Sequence, residues 1–527
     1  MTKWIQTIRR PAGFASLFLL GCIAVRAEEV VSPAEKKPFY AIVWQLEEFN
    51  RSCPWQVSPY PNLTQFYWLT QNDTDDSRSG RNPEANLKAA AERLKKATDQ
   101  MPEGRRAAFD WDNSHLLWNH PDDRIPVDGG ESFVLWWENG AKRVGERMDQ
   151  FFKAYRDIGG QLDLFVLDFE HGVGGTGVGG GQEPISLAVQ KRVEAVRDTP
   201  RFQEMMKAIR VEDPAYFYDP KFYPNAKWIA YARDLTRRYI NQAYYEPIRK
   251  YFPHVKFSNY GDFCDDFSTP QPNGIPRDAG EGIPGRHGGY AGTHQATDGL
   301  YGHLGGIVME WGAPVEGKEV VASPFNAFQL HANLMRTPVL SDPAPVTPWI
   351  AWRRYILDPA KPKGASVGET DYYQEMIYHI ALCNPDYFIF WSAFRWKPDM
   401  KAEDSCMKPD LQFVNDLLNE INGLAGFADR KTLVDRLAPW HQGYLLSGMK
   451  AGGRNLWRLT PDLSLVKSVE ACRVSEDPLR FEIAGRRIEF PGGNLIHLTK
   501  PMSAYGFWIE TPDGTSPVLT ESRAISP

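Results

Sequence analysis

Residues 162–170 read Leu-Asp-Leu-Phe-Val-Leu-Asp-Phe-Glu, a short apolar run that ends in two carboxylates, Asp168 and Glu170. A run of this length, bounded by turn residues, is typical of a strand that is covered on both faces of a parallel sheet. Because side chains alternate along a strand, Asp168 and Glu170 fall on the same face, roughly 6 to 7 Å apart at the backbone. The stretch predicts a buried strand that delivers two acid groups to a cleft. For either residue alone, capping a helix or pairing with a cation is the alternative.

Similar apolar runs alternate with helical patterns as far as about residue 425. Alternation of strand and helix at this spacing predicts an α/β fold with a parallel sheet. Eight such units over roughly 390 residues suit a (β/α)8 TIM-type barrel with long loops. The candidate strands are 39–44, 107–111, 133–137, 164–169, 256–260, 306–311, 348–352 and 387–391.

The pattern changes near residue 438 to short runs separated by turn signals, which predicts a small antiparallel β domain. The chain therefore divides into a leader, a charged linker, a catalytic barrel and a C-terminal β-sandwich. We expect the boundaries at 1–27, 28–37, 38–435 and 436–527.

The leader has the features of an export signal: basic residues within 3–10, an apolar segment at 14–24 and a small-residue cleavage site at 25–27. Leu-Leu-Gly-Cys at 19–22 also resembles a bacterial lipobox, so a leader of 1–21 with a lipid anchor on Cys22 competes with cleavage after residue 27. We expect a periplasmic or cell-surface lipoprotein, or a secreted protein. No later run of eighteen apolar residues is present, and no membrane span is predicted.

Charge and cysteine content exclude several classes of protein. The full chain has 60 basic and 66 acidic residues, and removing the leader moves its net charge from −6 to −10. An acidic protein is a poor partner for nucleic acid. The cysteines beyond Cys22 are widely spaced and contain no C-x-x-C pair, which argues against a zinc ribbon or a disulfide scaffold and leaves a single bridge open.

Tryptophan ends or flanks most of the candidate strands. If the barrel is correct, these residues lie at the carboxyl ends of its strands, where function belongs. Flat aromatic rings suit a sugar-binding cleft because pyranose rings present apolar C–H faces. Packing at the top of the barrel is the alternative for any one of them. The predicted substrate-binding tryptophans are Trp44, Trp111, Trp137, Trp311, Trp352 and Trp391.

Carboxylates crowd the same predicted rim, at Asp110, Asp112, Glu138, Asp262, Asp265, Asp266 and Glu310. Glycoside hydrolysis needs two carboxyls that flank the bond, one of which protonates the leaving oxygen. We predict Glu170 as the general acid/base, with Asp168 supporting or replacing it. Glu310 or Asp262 is the opposing carboxylate. For Asp262, Asp265 and Asp266 a calcium site is the alternative, since the group offers several oxygen ligands.

The whole pattern resembles exported (β/α)8-barrel glycoside hydrolases that carry a C-terminal β-sandwich. Asp163, Asp168 and Glu170 also line up with the D-G-x-D-x-D-x-E motif of chitinase-like barrels, in which the last Glu is the acid. Leu164 and Val166 replace two motif residues, so the match is partial. The resemblance implies hydrolysis of O-glycosyl bonds in a carbohydrate substrate, and no cofactor is expected.

Two further features lie beside the predicted site. Residues 175–180 fit G-x-G-x-x-G, but they begin five positions beyond Glu170 instead of at the end of the strand, and the next helix starts only after Pro184. They therefore do not indicate a dinucleotide site. Arg353 follows the seventh candidate strand and is a predicted substrate contact. It either orients the catalytic carboxylates or clamps an anionic group on the glycan.

Two other functions remain open at this stage. The lipobox and the many aromatic residues also suit a surface glycan-binding lipoprotein without turnover. A metal-dependent hydrolase would use Asp262 and the histidines His287, His294 and His303, whose spacing matches no standard metal motif. No metal site is therefore predicted.

Overall fold

The structure is a computed structural model of the chain. The structure describes residues 38–43, 60–69, 83–110, 116–117, 120–130, 132–168, 187–222, 227–228, 231, 235, 238–260, 300–303, 346–351, 372–382, 384–385, 387–391, 408–424, 430–433, 443–462, 473–476, 479–483, 485–496 and 506–521.

The N-terminal part of the described chain contains short strands separated mostly by helices. The strands are β1 (Ala41–Val43), β2 (Leu63–Gln65), β3 (Tyr67–Leu69), β4 (Ala107–Asp110), β5 (Arg124–Pro126), β6 (Ser132–Val134), β7 (Leu164–Asp168), β8 (Lys256–Tyr260), β9 (Leu300–His303), β10 (Val346–Ala351) and β11 (Phe388–Trp391).

The helices are α1 (Pro83–Thr98), α2 (Glu138–Asp157), α3 (Leu187–Val196), α4 (Pro200–Ala208), α5 (Glu246–Arg249), α6 (Tyr372–Ala381) and α7 (Lys408–Leu424). Three 3-10 turns lie at Pro121–Asp123, Pro214–Phe217 and Pro220–Phe222, and a π-helical turn lies at Asn241–Tyr245.

Two parallel sheets join through one continuous strand. Their orders are β3-β4-β7-β8 and β2-β1-β11-β10-β9. Only Phe66 separates β2 from β3, so this strand pairs with β1 through its first half and with β4 through its second. The offset between the two halves is the stagger that strands need in a barrel. The predicted α/β class is confirmed, with eight parallel strands in sequence order among the described residues.

The array also joins its first strand to its last, because β1 pairs with β11 in the register Ala41 to Phe388. The remaining neighbours, β8 and β9, contact each other without a hydrogen-bonded ladder among the described residues. Closure of this seam into a complete barrel stays a prediction.

The predicted third strand, 133–137, is wrong. Residues 132–134 form β6, which pairs antiparallel with β5 in a separate hairpin. Gly129 and Gly130 have positive φ values and make the turn, and helix α2 begins directly afterwards at Glu138. The apolar run at 133–137 therefore contributes one strand of a hairpin instead of a strand of the parallel array. Residues 63–69 form the strand of that array which the sequence did not predict. The predicted sixth strand, 306–311, lies outside the described residues, and the array has β9 in that part of the chain.

Alternation along the strands separates two apolar cores. The inner faces meet in a cluster that includes Phe66, Phe109 and Val166. The opposite faces, including Ala108 and Phe165, pack against the surrounding helices. Strands that are buried on both sides in this way are expected for parallel sheets covered by helices.

Helix α7 connects the end of this part to its first two strands through asparagines on one helix face. Asn62 donates to Asn419 at 2.7 Å, and its backbone N–H donates to Asn415 at 3.2 Å. Asn422 accepts from the Phe39 N–H at 2.7 Å and donates to the Phe39 carbonyl at 2.9 Å. These bonds satisfy backbone groups of the first strands and fasten α7 across the β1-β2 edge.

The C-terminal part contains two antiparallel sheets, in the orders β12-β13-β14-β19-β18 and β15-β16-β17-β20. Residues of both sheets share one apolar core, in which Trp457 and Leu459 meet Phe481 and Phe490. This is the architecture of a β-sandwich. The strands are β12 (Lys431–Thr432), β13 (Tyr444–Ala451), β14 (Arg454–Pro461), β15 (Arg473–Glu476), β16 (Leu479–Ile483), β17 (Arg486–Phe490), β18 (Asn494–Ile496), β19 (Phe507–Pro512) and β20 (Val518–Glu521).

Candidate active site

The inner face of the parallel array carries position 168 at its carboxyl end. Leu164 and Val166 belong to the inner core cluster, and Asp168, the last residue of β7, follows in the same alternation. Its register partner on the neighbouring strand is Tyr260, the last residue of β8. The register thus places positions 168 and 260 side by side where the two strands end.

On the other sheet, the same alternation selects four more inner positions. Tyr387 and Ile389 lie in the inner cluster, so Trp391 shares their strand face. Register then connects Ala351 to Trp391 and His303 to Trp349. His303 therefore ends strand β9. The array brings Asp168 and Trp391, both predicted, to the same rim as Tyr260 and His303.

The remaining predicted site residues follow these strand ends in the sequence. Each tryptophan at 44, 111 and 352 comes directly after the last residue of a described strand, and Glu170 and Asp262 come two positions after β7 and β8. The residues that lie outside the described part of the chain are Glu170, Asp262, Glu310, Trp44, Trp111, Trp311, Trp352 and Arg353.

Asp110 belongs to the other side of the sheet. It ends β4 in register with Leu167, and it shares the strand face of Ala108, whose side chain packs in the helix-facing core. The side chain is fully buried. Asp110 and Asp168 thus end neighbouring strands on opposite faces of the sheet. Position 168 lies on the inner face and position 110 on the outer face.

Glu138 is held in a structural cluster at the start of α2. It forms an ion pair with Arg201 and accepts a hydrogen bond of 2.8 Å from the Tyr239 hydroxyl. Burial and the neighbouring Glu138 carboxylate raise the pKa of Tyr239 above its usual value. The Arg201 guanidinium lies 4.3 Å above the centre of the Trp136 ring. This carboxylate thus joins α2, α4 and the helical segment before β8.

Trp137 was predicted to bind substrate, and the structure does not support this role. Its side chain is only 1% exposed, and its ring centroid lies 5.5 Å from that of Tyr239. The cause is the hairpin described above, which makes Trp137 the residue before α2 instead of the end of a barrel strand. An indole enclosed in this way offers no open ring face to a sugar, so Trp137 is a packing residue.

The sequence interpretation missed an aromatic residue on the inner face. Trp68 lies on β3, is partly buried against the inner cluster and has its ring centroid 5.0 Å from that of Phe109. The available signal was the run Phe66-Tyr67-Trp68, rich in strand-forming aromatics and bounded by Pro61.

Two features are absent from the described residues. They contain no group of three His, Cys, Asp or Glu side chains arranged to hold a metal ion. None of the described helices has the length and apolar character needed to cross a membrane.

Comparison with known proteins gave structural neighbours only. No protein-family model matches the sequence, and no curated protein sequence matches it. A GH30 endoxylanase from Clostridium papyrosolvens C71 is 10% identical with a TM-score of 0.35, over 92% of this chain and 95% of that one. A conserved exported protein from Bacteroides fragilis is 9% identical with a TM-score of 0.38, over 92% and 96%. A beta-galactosidase from Bacillus circulans sp. alkalophilus is 10% identical with a TM-score of 0.37, over 72% and 57%.

Proposed function

We propose that this protein is a glycoside hydrolase that cleaves O-glycosyl bonds of a polysaccharide or oligosaccharide by carboxylate acid/base catalysis. The observation that carries the proposal is the place of Asp168. It ends a strand flanked on both sides in the parallel array, on the inner face, two residues before Glu170. Carboxylates at the carboxyl ends of parallel strands stand where the loops of such enzymes form the catalytic cleft.

The proposed roles follow from the chemistry of glycosyl transfer to water. Glu170 protonates the leaving oxygen, and Asp168 supports it or replaces it. The opposing carboxylate, either Asp262 after β8 or Glu310 after β9, attacks the sugar or activates a water molecule. Both candidates follow the two strands that come next along the chain after β7.

The proposal includes a closed (β/α)8 barrel whose seam lies between β8 and β9. Around its mouth, aromatic rings stack on the apolar faces of sugar rings. Arg353 follows β10 and orients a catalytic carboxylate or binds the substrate. The tryptophans proposed for this role are Trp44, Trp111, Trp311, Trp352 and Trp391.

The test is hydrolysis of a panel of soluble polysaccharides, measured as released reducing ends. Glu170→Gln and Asp168→Asn should each lower the rate on the order of 10²-fold or more, because general acid/base catalysis contributes about that much. Glu204→Gln, on the exposed surface of α4, is the matched control and should retain activity. Unchanged rates in both site variants would contradict the proposal.

The same panel separates this function from a non-catalytic glycan-binding protein. A binder would retain a glycan without releasing products over long incubation, and its affinity would survive Glu170→Gln. Product release that is abolished by Glu170→Gln supports the hydrolase.

We also propose export and a lipid anchor on Cys22, supported by the Leu-Leu-Gly-Cys stretch at 19–22. Acylation of one cysteine would hold the protein at a membrane without a spanning helix. Fatty-acid labelling of the intact chain should be lost in Cys22→Ala. Equal labelling of both would contradict the anchor.

A further inference from the structure

Trp68 lies on the inner face of the array, one position before the end of β3. Leu69, the next residue, pairs with Asp110 at the end of β4. Trp68 itself pairs with Phe109, which pairs in turn with Val166. Asp168 is the next inner position above Val166 on β7. Trp68 and Asp168 therefore bound the same end of the array.

The burial of Trp68 differs from that of its inner neighbours. Phe66 and Phe109 are 2% and 0% exposed, whereas Trp68 is only partly buried. The indole nitrogen of Trp68 is among its buried atoms. The exposed part of Trp68 therefore does not include its indole N–H.

We infer that Trp68 is a substrate-contacting residue, whose exposed ring surface stacks on one sugar ring at the inner end of the cleft. This inference rests on the proposed carbohydrate-binding function. An apolar aromatic surface matches the C–H face of a pyranose. Across the sheet, Trp68 on β3 is two strand spacings from β7, which is about 10 Å. Along the strand direction, it lies one inner layer below Asp168, which is about 6 to 7 Å. One short oligosaccharide can touch both residues.

The alternative is that Trp68 only packs, because its ring also contacts Phe109. The two roles differ in their kinetic consequences. Losing a contact made equally by bound substrate and transition state raises KM and leaves kcat unchanged. Losing a packing residue lowers stability without this split.

The experiment compares Trp68→Ala and Trp68→Phe with wild type on xylohexaose, cellohexaose, maltohexaose and chitohexaose. Binding is measured by calorimetry and turnover by released reducing ends. We expect Trp68→Ala to raise KM about 10-fold or more with kcat nearly unchanged, and Trp68→Phe to fall between it and wild type. Trp228→Phe, at a buried position of the helix-facing core, is the matched control and should leave KM unchanged.

The outcomes distinguish this inference from the proposed hydrolysis. Unchanged KM and affinity in the folded Trp68 variants overturn the inference and leave the hydrolase in place. Binding without turnover, lost in Trp68→Ala, supports the inference and contradicts hydrolysis. A wild-type chain that neither binds nor cleaves any of the four sugars overturns both. If Trp68→Ala does not fold, Trp68→Phe and Trp68→Leu decide in the same way.

Discussion

Arg458 and Glu375 form a buried two-point ion pair between the β-sandwich and the helices of the parallel array. Arg458 Nε donates to Glu375 Oε2 at 2.8 Å, and Nη2 donates to Oε1 at 2.5 Å. The side chains are 3% and 0% exposed. Burial alone would lower the pKa of Arg458, but the charge and hydrogen bonds of Glu375 raise it above its usual value. Arg458 therefore stays charged in the interior.

Hydroxyl groups extend this pair into a directional network. Thr460 donates to Glu375 Oε2 at 2.6 Å, so its oxygen accepts from His379 Nε2 at 2.9 Å. His379 Nδ1 lies 2.7 Å from Ser447 Oγ. When the imidazole is neutral, Nδ1 accepts a hydrogen bond from the Ser447 hydroxyl. Helix α6, which follows β10, is thus bound to β13 and β14 by oriented polar contacts. The sandwich is an integral part of the fold at this boundary.

Glu375→Gln should lower the free energy of unfolding by about 3 to 5 kcal/mol, because it leaves the Arg458 charge buried without its counter-ion. Urea denaturation measures the change. Glu482→Gln breaks the exposed cross-strand pair with Arg487 and should cost about 1 kcal/mol or less. Equal losses of unfolding free energy in the two variants would contradict the larger contribution expected of the buried pair.

Gly506→Ala tests the space beside the same pair. A Cβ atom there would lie 2.4 Å from Glu375 Oε2 and 2.7 Å from Arg458 Nε, so the ion pair would have to move. We expect a loss of about 1 to 3 kcal/mol of stability from this overpacking. Gly423→Ala, in α7 with nothing near its added Cβ, should instead stabilise by about 0.5 to 1 kcal/mol. A lower melting temperature for Gly506→Ala together with a higher one for Gly423→Ala would confirm the geometry. Changes of the same sign in both variants would reject it.

Tyr155 should make stability fall at high pH. Burial raises its pKa to about 12, against the opposing hydrogen bonds with Thr98 and Gln161. Between about pH 10 and pH 12 the unfolded chain loses the phenolic proton and the folded chain keeps it, so stability decreases as pH rises. The loss should approach about 2 to 3 kcal/mol by pH 12. Comparison with Tyr155→Phe isolates this slope, and an identical slope in both proteins rules out Tyr155 as its source.

Asn62→Ala should loosen the attachment of α7 to the first strands. It removes the side-chain donor to Asn419 and the acceptor for Asn422. Buried polar groups left without partners cost about 1 to 3 kcal/mol. Asn494→Ala, at an exposed position of β18, is the control and should change stability by less than about 0.5 kcal/mol. A smaller loss in Asn62→Ala than in the control would contradict the proposed fastening.

The local sequence pattern was sufficient to predict the position of a strand where that strand is apolar along its length. Strand β7 lies within the predicted range because Leu164 to Leu167 are buried whichever face they take. The strand at 63–69 was missed because Gln65 interrupts the apolar pattern, and the pairing of β2 with β1 and of β3 with β4 decides its conformation. Residues 133–137 show the opposite error, since an apolar run does not reveal which strand it will pair with.

The sequence by itself determined the α/β class and an acid pair at 168 and 170, because periodicity and chain order are local properties. Tertiary structure alone decided that Trp137 is enclosed while Trp68 stays partly open. It also brought Glu375 to Arg458 across 83 positions of sequence. Burial and ion pairing depend on which distant segments surround a side chain, and no local pattern contains that information.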